Sequence, residues 1–170
     1  MLNRSWLFAV TATIAAFGTT AAAAQALTMD RKFLTNYAAS RIVASCMGIA
    51  ARDGENIAIA VVDPYGNLLA FQAAEGVTET GSMTAQLKAK TAARWRRATV
   101  ELFDRVNNQV NRAPEWIGDF PQPGGFPIYV EGQIVGAVGA GGGIGSVDDE
   151  CAIAAVAAVF GDTASLARPE

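Results

Sequence analysis

The sequence predicts an α/β (α+β) sandwich, an antiparallel sheet with helices on both faces, in the order α-β-β-α-α-β-β-α. Three observations carry this. Two pairs of short apolar runs are each joined by a tight turn, which reads as two β-hairpins. Segments with helical spacing precede, separate and follow the hairpins. No internal repeat and no splitting linker divides residues 27–170 into more than one domain.

Asp30 is the expected cap of a first helix reaching about Ala51, with Leu34, Ala38, Ile42, Cys46 and Ile49 along one face. Asp53-Gly54 ends it. Residues 56–63 (NIAIAVVD) and 68–72 (LLAFQ) then make a hairpin around Pro64-Tyr65-Gly66-Asn67. Ser82 is the expected start of a second helix, rich in helix formers and ending in Arg94, Arg96 and Arg97 beside the negative end of its dipole. Thr99 is expected to cap a short helix to about Asn108. A polar, Pro-containing loop covers residues 111–125. Residues 126–130 and 133–140 form the second hairpin around Glu131-Gly132. Residues 146–149 (SVDD) resemble a capping box, opening a last helix through Phe160.

Composition excludes several function classes. Of 170 residues, 51% are hydrophobic and 17% charged, which a disordered chain would not show. The net charge of −3 gives no electrostatic footprint for nucleic acid. There is no histidine. That removes Ser-His-Asp and Cys-His catalysis, His-ligated zinc and a histidine ligand to haem. Two isolated cysteines supply too few soft ligands for a metal site.

Residues 1–26 read as a signal peptide. Arg4 is the only charge before Asp30, residues 6–18 are an apolar core, and Ala24-Gln25-Ala26 is a cleavage signature. The apolar run is shorter than a membrane-spanning helix needs. The expected product is periplasmic or secreted, free of the membrane after cleavage near Ala26. Cys46 and Cys151 are then disulfide candidates, against the alternative of two buried thiols. If the first and last helices share one face of the sheet, the two cysteines approach one another, which tips the balance toward the bond.

Glycine is concentrated, with ten of 17 lying between Gly118 and Gly145. The run GAVGAGGGIG at 136–145 fits no G-x-G-x-x-G register, and no lysine follows Lys90 to complete a phosphate loop, so there is no nucleotide motif. Close packing accounts for Gly136 and Gly139. An anion or ligand remains open for Gly141–Gly145, which follow a strand and precede a helix. Gly124-Gly125-Phe126-Pro127 reads either as a structural turn or as backbone approaching a ligand. Lys88, Lys90, Arg94, Arg96 and Arg97 are the one concentrated basic segment, either a solvated helix face or a site for ligand carboxylates. Trp95 among them reads as a core anchor. Asp63 is simplest as a turn residue, and Asp148 and Asp149 as acids favouring a helix start.

Four segments together resemble the GlcG/HbpS family, which also includes the C-terminal domain of PduO-type corrinoid adenosyltransferases. They are IAVVDPYGNLLAF at 58–71, KAKTAARWRRAT at 88–99, PGGFPIYVEGQIVGAVGAGG at 123–142 and DDECAIAA at 148–155. The resemblance implies a profilin-like fold, homo-oligomers (tetramers or octamers), and haem binding, haem degradation or redox sensing. It marks Asp63, Gly66, Lys88, Lys90, Thr91, Gly124, Gly125, Pro127 and Asp149 as retained motif positions. Residues 72–76 (QAAEG) replace the family's basic residue and Asp-Gly. The resulting expectation is a binding protein for haem or a related tetrapyrrole, without a histidine ligand. Asp63, Lys88, Lys90, Thr91, Arg94, Gly124, Gly125, Pro127, Gly141, Gly142 and Asp149 are its candidate binding residues. The expected groove lies between the 88–97 segment and the 124–127 turn. The alternative is an enzyme acting on a small organic acid or aromatic compound, with Lys88 or Lys90 as acid/base.

Overall fold

The computed structural model describes residue 27 and residues 29–167. The expected signal segment lies outside them. Helix α1 is Asn36–Asp53, strands β1 and β2 are Ala58–Val62 and Leu68–Ala73, and helix α2 is Glu79–Trp95. Helices α3 (Thr99–Asn107) and α4 (Ala113–Trp116) lead to β3 (Gly125–Val130), β4 (Gln133–Gly141) and α5 (Gly145–Phe160). A 3-10 turn, Gly161–Thr163, precedes the two-residue strand β5, Ala164–Ser165. The five strands form one antiparallel sheet in the order β2-β1-β4-β3-β5. The predicted pattern is present, and α4 and β5 add to it.

Side-chain alternation along β1 decides how the helices dock. Ile57, Ile59 and Val61 join Val138 and Ala140 in a core shared with α1 and α5. The opposite face presents Ala58, Ala60, Val62 and Ala137 to Ala85, Ala89, Ala92 and Ala93 of α2. The face of small side chains lets α2 lie almost on the backbone of the sheet. A Cβ on Gly139 would stand 2.3 Å from the Ala85 carbonyl oxygen and 2.4 Å from the Ala89 nitrogen. One on Gly141 would stand 2.7 Å from the Gly81 oxygen. Gly141 therefore belongs with Gly139 as a packing glycine, not with a ligand loop.

With α1 and α5 on one face, Cys46 and Cys151 meet in a disulfide, S–S 2.03 Å, and both residues are buried. The bond ties the start of the domain to its end across 105 positions. Cross-links closing such long loops restrict the unfolded chain most, so this one is a major contribution to stability.

Four helix starts differ from expectation: α5 begins at Gly145 with Ile144, not Ser146, at its N-cap position, and the other three differ for local reasons. The first helix is capped by Thr35, whose hydroxyl accepts from the Ala38 N–H at 3.1 Å. Asp30 is not its cap, because Leu34 is held outside the helix by its N–H bond to the Val135 carbonyl at 2.8 Å. The second begins at Glu79 rather than Ser82, with the Thr78 hydroxyl accepting from Gly81 N–H. Thr99 is the first helical residue of α3, not its cap. Its hydroxyl accepts from the Gly125 N–H at 2.9 Å and is committed to β3.

Candidate functional site

Two clefts flank α2, and the basic segment 88–97 is divided between them. The helical rotation of α2 does this. Lys88 lies on its buried side, whereas Lys90 and Arg94 point outward.

The inner cleft, of about 360 Å³, lies among the N-terminal half of α2, the Gly142–Gly145 loop and residues 120–123. At its floor the Lys88 ammonium donates to Asp148 Oδ2 at 2.6 Å. The two residues are 4% and 1% exposed, so this is a fully desolvated ion pair. Asp148 Oδ1 also accepts from the Gly143 N–H at 3.1 Å. Asp148 is thus a first-turn acid of α5, as expected, that also holds Lys88, and the N-cap position, Ile144, has no side-chain cap. Gly124, at φ +117°, passes directly over the pair. A Cβ there would stand 2.9 Å from Lys88 Nζ and 2.9 Å from Asp148 Cβ. Gly142, at φ +114°, turns the chain out of β4, where a Cβ would strike the Asn56 carbonyl at 2.7 Å.

Asp149 sits beside the pair, with a buried Oδ1 that has no hydrogen-bond partner among the described residues. Burial pushes its carboxyl above the ordinary carboxylate range, and the Asp148 charge adds to this. The Gly124 amide and the Lys88 ammonium pull the other way without cancelling the shift.

The outer cleft, of about 390 Å³, lies between the β1–β2 turn and the C-terminal turns of α2. Arg31, Lys90, Arg94 and Arg96 supply four cations, and Pro64, Tyr65, Gly66 and Ala93 the remaining wall. No carboxylate lines it among the described residues. Asp63 does not reach into this cleft. Its Oδ1 accepts from the Tyr65 and Asn67 N–H groups at 2.8 and 2.9 Å, and Oδ2 from the Asn67 side-chain amide at 2.8 Å. Burial opposes the charged form of Asp63, but these bonds outweigh it and hold its carboxyl below the usual range. Its work is to shape the turn that carries Tyr65.

A third side chain links the clefts. Asp119, nearly buried, accepts from Arg94 Nη1 at 2.6 Å and from Trp95 Nε1 at 2.6 Å. The Thr91 hydroxyl accepts from the adjacent Phe120 N–H at 2.9 Å. The loop whose Phe120, Gln122 and Pro123 wall the inner cleft is thereby clamped to α2. Trp95 is half-buried and anchors this loop rather than the core.

Of the expected binding residues, Lys88 and Gly142 line the inner cleft, and Lys90 and Arg94 the outer one. Thr91, Gly124, Gly125, Pro127 and Gly141 are buried in packing. A Cβ on Gly125 would stand 2.7 Å from the Lys88 carbonyl, and Pro127 pairs with Ala137 inside the sheet. The single groove expected between the 88–97 segment and the 124–127 turn is therefore two separate clefts. Sequence reasoning missed Tyr65, Arg31 and Asp119 as cleft and clamp residues. Tyr65 lay inside a recognised motif, but its role as a turn residue masked it. Nothing in the sequence marks which distant aspartate meets Arg94.

The model of the family described as "Haem degrading protein HbpS-like" matches residues 34–157. The chain belongs to the HbpS-like family. All four resembling segments fall within that match. Protein GlcG of Escherichia coli is 35% identical over 106 residues, 62% of this chain and 79% of that protein. A double mutant of HbpS from Streptomyces reticuli is 28% identical with a TM-score of 0.73, covering 89% of this chain and 99% of that one. A haem complex of PduOC is 21% identical with a TM-score of 0.74, covering 80% and 99%. At that identity PduOC supports the HbpS-like fold alone.

Proposed function

We propose that this chain binds haem or a related tetrapyrrole in the outer cleft, as an exported homo-oligomer. The observation that carries the reading is the cleft itself, in which Arg31, Lys90 and Arg96 surround an aromatic and apolar wall while Arg94 is paired with Asp119, and no carboxylate is among the described lining residues. Cations in that arrangement pair with the carboxylates of a planar ring. Membership of the HbpS-like family supports the choice of ligand. The donor set also fits the group. Histidine is absent and both cysteines are in the disulfide, but a phenol and an amine line the cleft. Bound haem would supply its iron for ligand or redox chemistry. The protein would hold its carboxylates through Arg31, Lys90 and Arg96.

Export is supported by the charge and apolar pattern of residues 1–26 and by the disulfide, which persists in oxidising compartments. No helix among the described residues is long and apolar enough to cross a membrane. Assembly is supported by the edge strand β2, which carries exposed Leu68 and Phe71.

A second reading rests on the inner cleft. A buried Lys88 beside Asp148 is the arrangement expected of an acid/base pair acting on a small organic acid or aromatic compound. Titration of the protein, free of any histidine tag, with haemin separates the two. A saturable, red-shifted Soret band is expected, weakened about fivefold by Lys90→Ala or Arg96→Ala (about 1 kcal/mol for an exposed charge-assisted contact) and unchanged by the double variant Lys88→Met with Asp148→Leu, which strands no buried charge. An unsaturating change in the wild-type protein overturns haem binding and leaves the inner cleft as the site to assay.

A further inference from the structure

We infer that the Tyr65 phenol is the protein ligand to the iron in the outer cleft, an inference that rests on the haem reading and adds to it the atom that holds the metal. A tyrosine phenolate is one of the side chains that proteins use for haem iron. Every side-chain donor except the Lys90 amine, which the test below addresses, is removed by sequence or position. There is no histidine, and Cys46 and Cys151 are joined to one another in the core. Met47 and Met83 line neither cleft. Tyr129 is buried and its hydroxyl donates to the Arg96 carbonyl at 3.0 Å. Tyr37 lies on α1, outside both clefts. Tyr65 alone among the tyrosines lines the outer cleft, and it is 70% exposed.

Position and charge support the assignment. Tyr65 follows Pro64, whose ring fixes its own φ. The Tyr65 N–H is held by Asp63 Oδ1. The aromatic ring leans on Phe33, with centroids 5.8 Å apart and planes at 48°. The backbone and ring are thus held while the hydroxyl stays accessible. An iron-bound phenolate carries negative charge, and Arg31, Lys90 and Arg96 of the same cleft would favour it, Arg94 being committed to Asp119. This also gives a use to the bonds of Asp63, which otherwise only tie an exposed turn. The simpler account is an ordinary β-turn with an exposed tyrosine, and the test distinguishes them.

Haemin is titrated into wild type, Tyr65→Phe, Lys90→Met and Tyr37→Phe. Absorbance gives affinity, and electron paramagnetic resonance and resonance Raman spectra of the ferric complex give the ligand. The wild-type complex is expected to be high-spin with an iron–phenolate vibration. Tyr65→Phe should lose that vibration and bind at least tenfold more weakly, with the same melting temperature. Tyr37→Phe should retain both properties, and Lys90→Met should retain the vibration. Saturable binding with an unchanged spectrum in Tyr65→Phe overturns the assignment and leaves haem binding standing. A ligand signature lost only in Lys90→Met overturns it in favour of the amine. Absence of saturable binding by wild type overturns the haem reading and this inference with it.

Discussion

The same substitution, glycine to alanine, should act with opposite sign at two positions of this chain. At Gly139 in β4, the new methyl would lie 2.3 Å from the Ala85 oxygen and 2.4 Å from the Ala89 nitrogen. Both are backbone atoms of α2, so no rotamer change relieves the clash. The helix must move off the sheet, loosening the core of alanines beneath it. Overpacking costs about 1–3 kcal/mol, and the rigidity of the neighbours places this case near about 3 kcal/mol. Gly48 lies inside α1 with nothing within 4 Å of the added carbon. Alanine there removes the entropy penalty of a helical glycine and should stabilise by about 0.5–1 kcal/mol. For a domain of this size 1 kcal/mol shifts Tm by about 3 °C. Thermal unfolding followed by circular dichroism should therefore show Gly139→Ala lowered by about 9 °C and Gly48→Ala raised by about 2 °C. A Gly139→Ala protein melting within about 2 °C of wild type would refute the account of β4 glycines as helix-docking positions.

Other consequences follow from the same geometry. Replacing both cysteines by alanine should cost about 2–5 kcal/mol, seen as a lower urea midpoint that reductant no longer changes. An unaltered midpoint would mean that the bond does not constrain the unfolded chain. Lys88→Met strands a buried Asp148 and should cost about 3–5 kcal/mol, whereas Lys88→Met with Asp148→Leu should recover most of it. Equal losses in single and double variants would contradict a desolvated pair. The Asp149 carboxyl is raised in the folded state, so its charge destabilises the fold at neutral pH. That cost fades as pH falls through the folded value, and is gone below the unfolded one. Asp149→Asn should therefore be the more stable protein at pH 7 and lose its advantage near pH 3, measured by denaturant midpoints across pH. An advantage that grows with acidity would reverse the assigned cause.

Much of the fold was legible because it is written in local periodicity. Ile57, Ile59 and Val61 alternate with Ala58, Ala60 and Val62, which specifies a strand buried on both faces. The helix starts were harder to place, because Asp30, Ser82, Thr99 and Ser146 were plausible caps by residue type alone. Which side chain caps a helix depends on what else competes for it. Gly125 takes Thr99, while Lys88 and Gly143 take the Asp148 carboxylate. The basic run at 88–97 was visible, but its split depends on which side of α2 meets the sheet. Only Lys88 faces inward, so the residues expected to share one groove line two.

The sequence by itself determined the order of the main elements, though not α4 or β5, the placement of large and small residues on opposite faces of β1, and the family. These depend on spacing along the chain, which folding does not change. The tertiary structure alone decided that Cys46 meets Cys151, that Asp148 rather than Asp149 holds Lys88, and that Asp119 clamps Arg94 and Trp95. Each of these joins residues 24 or more positions apart. Such contacts are set by packing across the sheet, and local sequence carries no record of which partner will arrive.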